Sequence, residues 1–330
     1  MLPLSVIPPF VADRTGWLLA LALGGLALAG NAAATAAGLF IGGPLALALI
    51  LGLLVRWRWP GAGALPGLPG WGRFTLRAGV AVLGLGVTVQ DAARIGWGGV
   101  AAVAATLAVT LAVTLLAGRW LKVPPGLTRL IAAGTAVCGA SAVLAVAARH
   151  QQDEATASHA AVAIAIVTLF GSVGMMLHPA LSGWLHLSAV QAGLWAGASL
   201  HEVAHAVGAA VQQGPVAADF GTIAKLERVA LLVPVVALLG DGKRGTPPLF
   251  LLVFVGFMGL ASFGLVPPAV QALARPVSLA LLTTALAALG VSTALGPLRQ
   301  AGWRPVALGL IATLVIFLFS FGLIRGFLSV

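Results

Sequence analysis

Apolar stretches of about 17 to 25 residues, each long enough to cross a bilayer as a helix, recur along the whole chain with short loops between them. Backbone inside lipid must satisfy its own hydrogen bonds, so this pattern restricts the fold to membrane-embedded helices. Hydropathy places eleven segments at roughly 16–31, 34–55, 77–95, 97–118, 127–148, 157–181, 188–211, 222–240, 248–265, 279–296 and 304–327. The first is short, so the expectation is an all-α polytopic membrane protein with ten or eleven transmembrane helices. Of 330 residues 60% are hydrophobic and 8% charged, against about 25% charged in soluble domains. One integral membrane domain over 1–330 follows, with no room for a separate soluble domain.

The net charge of +10 is scattered at segment ends instead of forming a patch, which argues against a nucleic-acid partner and for topological signalling. With eleven crossings, twelve basic residues fall in loops on the N-terminal side, among them Arg56, Arg58, Arg119 and Lys122. Four, Arg94, Arg149, Arg275 and Arg325, fall opposite. That bias predicts a cytoplasmic N-terminus. Trp17, Trp57, Trp59, Trp71, Trp97, Trp120 and Trp303 sit near segment ends, as interfacial anchors do. The single cysteine, Cys138, excludes an intramolecular disulfide and a cysteine-only zinc site. No convincing secretory signal precedes the first segment.

"LGVTVQDAARIGWGGVAAV" from Leu85 resembles "LGVSTALGPLRQAGWRPVAL" from Leu289 once two residues are inserted before the second Gly-Trp pair. The copies open in segments 3 and 10, an odd separation, so an inverted repeat is expected, with halves at about 16–150 and 157–327. Inverted repeats are characteristic of secondary transporters.

Segments 5 and 7 are interrupted by small residues near their middles, "AGTAVCGASAVLAV" from Ala133 and "WAGASLHEVAHAVGAA" from Trp195. Glycine weakens a helix and lets the chain turn, and broken helices survive in membranes only where they are buried in protein or line a cavity. A break exposes unpaired N–H groups at the positive end of a half-helix, an anion site. Thr135, Cys138, Gly139 and Ser141 are the candidates in segment 5, and Ser199 in segment 7. Tight helix packing is the competing reading for Gly134, Gly139, Gly193 and Gly197.

His201, Glu202 and His205 spell HExxH, the helical zinc-protease signature. A third ligand is wanting: Asp241 stands in a basic loop with Lys243 and Arg244, and Asp219 has no motif around it. Ser199-x-x-Glu202 offers a different reading, a capping box that starts a half-helix inside the membrane. His201, Glu202 and His205 are then candidate proton-coupling groups, since intramembrane ionisable residues are functional by default. Lys225 and Arg228 share a helix face; they either snorkel or bring positive charge to an anion or to Glu202. Residues 149–161 read as a mostly solvated loop from which Glu154 and His159 face a cavity on one reading. His178 and His186 read as interfacial around a turn at Pro179, and Asp91 and Arg94 as a local pair.

"GTAVCGASAV", "VAIAIVTLFGSVGMMLHPAL", "GLWAGASLHEVAHAVGAA" and "TIAKLERVALLVP", in this order and with "LGLGVTVQDA", resemble the sulfate exporter family of bacterial inner-membrane proteins, long labelled conserved hypothetical. The resemblance implies a secondary transporter, not an enzyme, of ten or eleven spans. Sulfate, sulfite or a sulfonate would be its solute, held at the N-termini of the broken helices with Lys225 and Arg228 supplying charge, and H+ or Na+ its candidate coupling ion. Family members commonly carry His-Glu or His-Asp at positions 201 and 202 but often Gln at 205, which removes the need for zinc. No cofactor or metal is expected; the lipid bilayer is a partner, and a homo-oligomer is compatible. The alternatives are the HExxH zinc protease and a channel or sensor without coupled transport.

Overall fold

The computed structural model describes residues 15–37, 43–93, 96–150, 153–239, 249–293 and 296–327. Among them the secondary structure is helical, with no strand. The chain is an all-α polytopic membrane protein. Asp13, Arg14, Arg94, Asp241, Lys243 and Arg244 lie outside the described residues, and so does the side chain of Asp91.

Each apolar segment coincides with a helix or a pair of helices. The helices are α1 (Thr15–Ala36), α2 (Gly43–Arg58), α3 (Leu68–Leu83), α4 (Val89–Ala93), α5 (Gly96–Trp120), α6 (Pro125–Ala136), α7 (Ala140–Ala147) and α8 (Glu154–Trp184). They continue as α9 (Ala189–Ser199), α10 (Val203–Val211), α11 (Pro215–Ala230), α12 (Leu232–Leu239), α13 (Leu249–Ser262), α14 (Pro268–Ser292), α15 (Gly296–Ala301) and α16 (Trp303–Phe327). Five of them, α1, α5, α8, α14 and α16, are individually long and apolar enough to span a membrane. Segments 3, 5, 7 and 8 are each divided between two helices.

Several boundaries shift from the hydropathy reading. α3, α11 and α14 start about seven to eleven residues early. Their first turns, such as "LPGWGRFTLR", are too polar to register as membrane segments, yet each opens with Pro at N1 or N2, where the missing N–H costs nothing. Residues 154–161 are helix, not loop: Asp153 caps α8 by accepting from the Thr156 N–H at 2.8 Å. Glu154 is exposed, while His159 packs against Gly126 at the start of α6. Asp219 likewise lies in α11. Pro179 sits within α8 and makes no turn, and His178 is fully buried, its ring 4.4 Å from that of Trp195. His186 is exposed. Trp57, Trp59, Trp97, Trp120 and Trp303 are exposed at helix ends.

The chain forms two compact units. In the first, residues 1–88 and 253–294, α14 packs on α1, α2 and α3. α2 and α14 meet backbone to backbone, since a side-chain carbon on Gly52 would overlap the Ala287 carbonyl and one on Gly290 the Leu49 carbonyl. The second, residues 89–252 and 295–330, holds both interrupted segments. In it α5 packs on α6 and α16, α16 on α9, and α9 along α11.

The two similar stretches have similar backbones. After Val87 and after Thr293, both extended, comes a short helix, α4 or α15, followed in each copy by a left-handed glycine. Gly96 has φ 65° and Gly302 φ 77°. A 25-residue helix begins there in both copies, α5 and α16.

Along α9 and α11, a Cβ on Gly193 would overlap the Ala217 carbonyl, and one on Gly197 the Gly221 carbonyl. Packing therefore explains these glycines, as it does Gly134, whose added carbon would lie 2.8 Å from Val143 and Val167 side-chain atoms. Gly193→Ala should lower stability by about 1–3 kcal/mol by forcing the two helices apart. Gly25→Ala, with nothing within 4 Å of the added carbon, should be neutral or stabilising by up to about 1 kcal/mol. Thermal unfolding of the two variants in detergent compares them.

Candidate functional site

The break in segment 5 is Val137-Cys138-Gly139 and that in segment 7 is Leu200-His201-Glu202. At 1.5 Å per residue the half-helices α6 and α7 are about 18 and 12 Å long, and α9 and α10 about 16 and 14 Å. Each pair thus totals about 30 Å of helix, close to the thickness of a hydrocarbon core. Gly139 turns the chain at φ 68°, while Leu200 and Glu202 are extended.

Breaking a helix frees carbonyls at one end and N–H groups at the other. The carbonyl ends of α6 and α9 are closed by two cations from α11. Lys225 Nζ donates to the carbonyl oxygens of Val137 at 2.8 Å, Leu200 at 2.8 Å and His201 at 2.6 Å. Arg228 donates through Nε to Ala136, through Nη1 to Gly197, Ala198 and Leu200, and through Nη2 to Thr135 and Ala136, at 2.7–3.2 Å. Both side chains are completely buried, so neither snorkels. Three acceptors use all three donors of the Lys225 ammonium, and the positive charges sit where the α6 and α9 dipoles are negative.

The N–H end of α7 faces an acid. Glu202 Oε1 accepts from Thr168 Oγ1 at 3.0 Å, and the carboxylate lies at the Ala140 backbone N–H in the first turn of α7. Gly139 makes this possible, because a Cβ there would overlap Glu202 Cγ. The expected Ser199–Glu202 capping box does not form. Ser199 is the last residue of α9 and its hydroxyl donates to the Trp195 carbonyl at 2.6 Å. Glu202 holds the N-cap position of α10 without a side-chain capping bond and reaches across to α7 instead. A distant helix end and a buried hydroxyl together outbid the local partner.

The same break divides HExxH. His201 precedes α10 and its Nε2 lies 3.1 Å from Thr313 Oγ1 in α16, while His205 is inside α10 with Nε2 3.3 Å from Ser172 Oγ in α8. The metalloprotease arrangement needs both histidines on one continuous helix face, and here they address different helices. Among the described residues no group of three His, Cys, Asp or Glu is placed to hold a metal ion.

Around the two breaks the fold therefore gathers Thr135, Cys138, Gly139, His201, Glu202, Lys225 and Arg228, all buried, with Gly139 capping α7. Ser141 is exposed on α7, and the Ser199 hydroxyl is already used. His205 is adjacent, its Nδ1 without a partner among the described residues, as are His201 Nδ1 and the Thr135 hydroxyl. Thr168, Ser172 and Thr313 escaped the sequence reading. The first two lie four residues apart in "TLFGS" of α8, a polar pair in an apolar span whose face was the available signal.

Arg228→Ala would leave the carbonyls of Thr135, Ala136, Gly197 and Ala198 without their buried cation. We expect a loss of about 3–5 kcal/mol, read as a fall in Tm in detergent. Arg228→Lys, with fewer donors and no planar fork, should recover only part of it.

The family model described as Conserved hypothetical protein 698 matches residues 15–309. The UPF0324 membrane protein TauZ of Paracoccus denitrificans is 35% identical over 319 residues, 92% of this chain and 94% of the relative. A UPF0324 membrane protein of Pseudomonas putida is 37% identical over 263 residues, 73% and 72% of the two chains, and one of Chlorobaculum tepidum is 32% identical over 253 residues, 73% and 71%. No solved structure matches. Similarity of this extent, spanning both breaks and the α11 cations, shows that the chain belongs to the UPF0324 family of bacterial membrane proteins.

Proposed function

We propose that the protein is a secondary transporter of a small inorganic or organosulfur anion, of the sulfate, sulfite or sulfonate class, seated at the N-terminal ends of α7 and α10. The supporting observation is the carboxylate of Glu202 at the first turn of α7, over Gly139. An oxyanion that belongs to the protein already occupies such a seat, and the N-terminus of α10 beside it has no capping side chain.

A charge count favours the same reading. Two helix C-termini and two N-termini contribute about −1 and +1 and cancel. Lys225, Arg228 and Glu202 leave +1 when ionised, enough for a monoanion; a proton on Glu202 raises the centre to +2, enough for sulfate. Proton uptake and dianion binding are thereby linked through one carboxyl group, with His201 beside it as a second proton acceptor. Lys225 and Arg228 act on the solute through the field they create, since their donors are committed to carbonyls. The location proposed is the bacterial inner membrane with the N-terminus in the cytoplasm, as the basic loops favour. The repeated backbone at α4–α5 and α15–α16 is the kind of internal duplication that alternating-access carriers are built from.

Proteoliposome flux of radiolabelled sulfate, sulfite and a sulfonate tests this. The wild-type protein should show saturable flux that responds to an imposed pH gradient. Glu202→Gln, which keeps the shape and removes the charge, should abolish the response to the gradient, and Gly139→Ala, which displaces the carboxylate, should reduce flux at least tenfold. A gradient response unchanged in Glu202→Gln would overturn the assignment.

A further inference from the structure

The three oxygens around Lys225 Nζ come from both breaks: Val137 from one, Leu200 and His201 from the other. They are main-chain carbonyls where helical pairing has run out. That is the environment in which discontinuous helices of transporters coordinate alkali ions, with unwound carbonyls and half-helix C-terminal ends converging on one cation. Here the position is filled by a group covalently attached to α11. The ammonium offers three donors and meets three acceptors, so it has no direction left in which to hold a solute. Its size is close to that of potassium or free ammonium.

We propose that Lys225 is a tethered monovalent cation: its ammonium fills a cation site built from the carbonyls of the two helix breaks, and the protein consequently needs no free alkali ion there. The inference goes beyond the transport reading and is independent of which solute is carried. Arg228, which shares the Leu200 carbonyl, repels any cation at this place. Tethering overcomes the repulsion, because a short covalent linker presents its group at a high effective concentration, on the order of millimolar or more. Removing the tether should thus leave a weak site for a free cation.

The test uses full-length protein in detergent and needs no solute. Wild type, Lys225→Ala and Lys225→Met are melted at one ionic strength in the chlorides of N-methylglucamine, sodium, potassium, ammonium and methylammonium. The wild type should melt at the same temperature in all five. Lys225→Ala should melt lower in N-methylglucamine and recover, saturably, in ammonium or potassium, since a ligand of the folded state raises its stability by mass action. Lys225→Met, which refills the space with apolar atoms, should show the loss without the recovery. Cation-indifferent melting of Lys225→Ala, or equal stabilisation of all three proteins by potassium, would overturn the proposal. Where Lys225→Ala aggregates in N-methylglucamine, the yield of folded protein extracted in ammonium chloride gives the same readout, and aggregation in both salts counts against it. Failure here leaves the Glu202 flux result standing, and a failed flux assay leaves this one standing.

Discussion

Carbonyl groups stripped of their helical partners in a water-poor interior are the problem this fold has to solve. An unpaired buried polar group costs about 1–3 kcal/mol, and two interrupted helices expose a cluster of them at one level. The solution is a pair of cations three residues apart on α11. Lys225 serves the first carbonyls of both breaks, and Arg228 chiefly the turns just before them. Such short reach requires α11 to lie against α9 with backbones in contact, which explains glycine at 193, 197 and 221. Each step depends on the one before it: without the glycines the helices separate, without close helices the cations miss the carbonyls, and without the cations the breaks would close into ordinary helices or unfold.

Once the carbonyl ends are closed, the polarity of the site is settled. Positive side chains are spent on the negative helix ends, and what remains is the positive ends of α7 and α10, the first of which meets the protein's own carboxylate. In a chain with 8% charged residues, three fully or almost fully buried charges within one cluster are a large concession to function. The hydroxyls of Thr168, Ser172 and Thr313 then orient Glu202, His205 and His201 from α8 and α16.

The breaks were legible because glycine and small polar residues weaken a helix wherever they interrupt an apolar run, and because their distance from the segment ends fixes their depth. The face shared by Lys225 and Arg228 was legible too. Their partners were not, since a main-chain carbonyl carries no residue signature and can be located only once the neighbouring helices are in place. Ser199 and Glu202 illustrate the opposite error: a local pattern with a good local mechanism lost to Thr168, thirty-four residues away. His178 looked interfacial because it stands near the end of an apolar run. It is buried because Trp195 and Phe317 cover it, and Ser182 Oγ and Gln213 Nε2 meet its Nδ1. Hydropathy also shortened α3 and α14, whose polar first turns are helical for reasons of N-terminal proline and packing rather than lipid.

The two similar Gly-Trp stretches acquire a physical meaning from the helices they open. A left-handed backbone is cheap only for glycine, and in both copies it redirects the chain from a short helix into one of 25 residues. Those two long helices, α5 and α16, pack on each other, and each also supports the first half of one interrupted segment, α5 against α6 and α16 against α9. A Cβ on Gly118 of α5 would overlap the Thr128 side chain of α6, and Trp195 of α9 donates from Nε1 to the Phe317 carbonyl of α16 at 3.0 Å. The same local device thus buttresses both half-helices whose ends Lys225 and Arg228 join. Two supports that begin alike thus brace α6 and α9, the half-helices whose carbonyl ends are joined by the cations of one helix, α11.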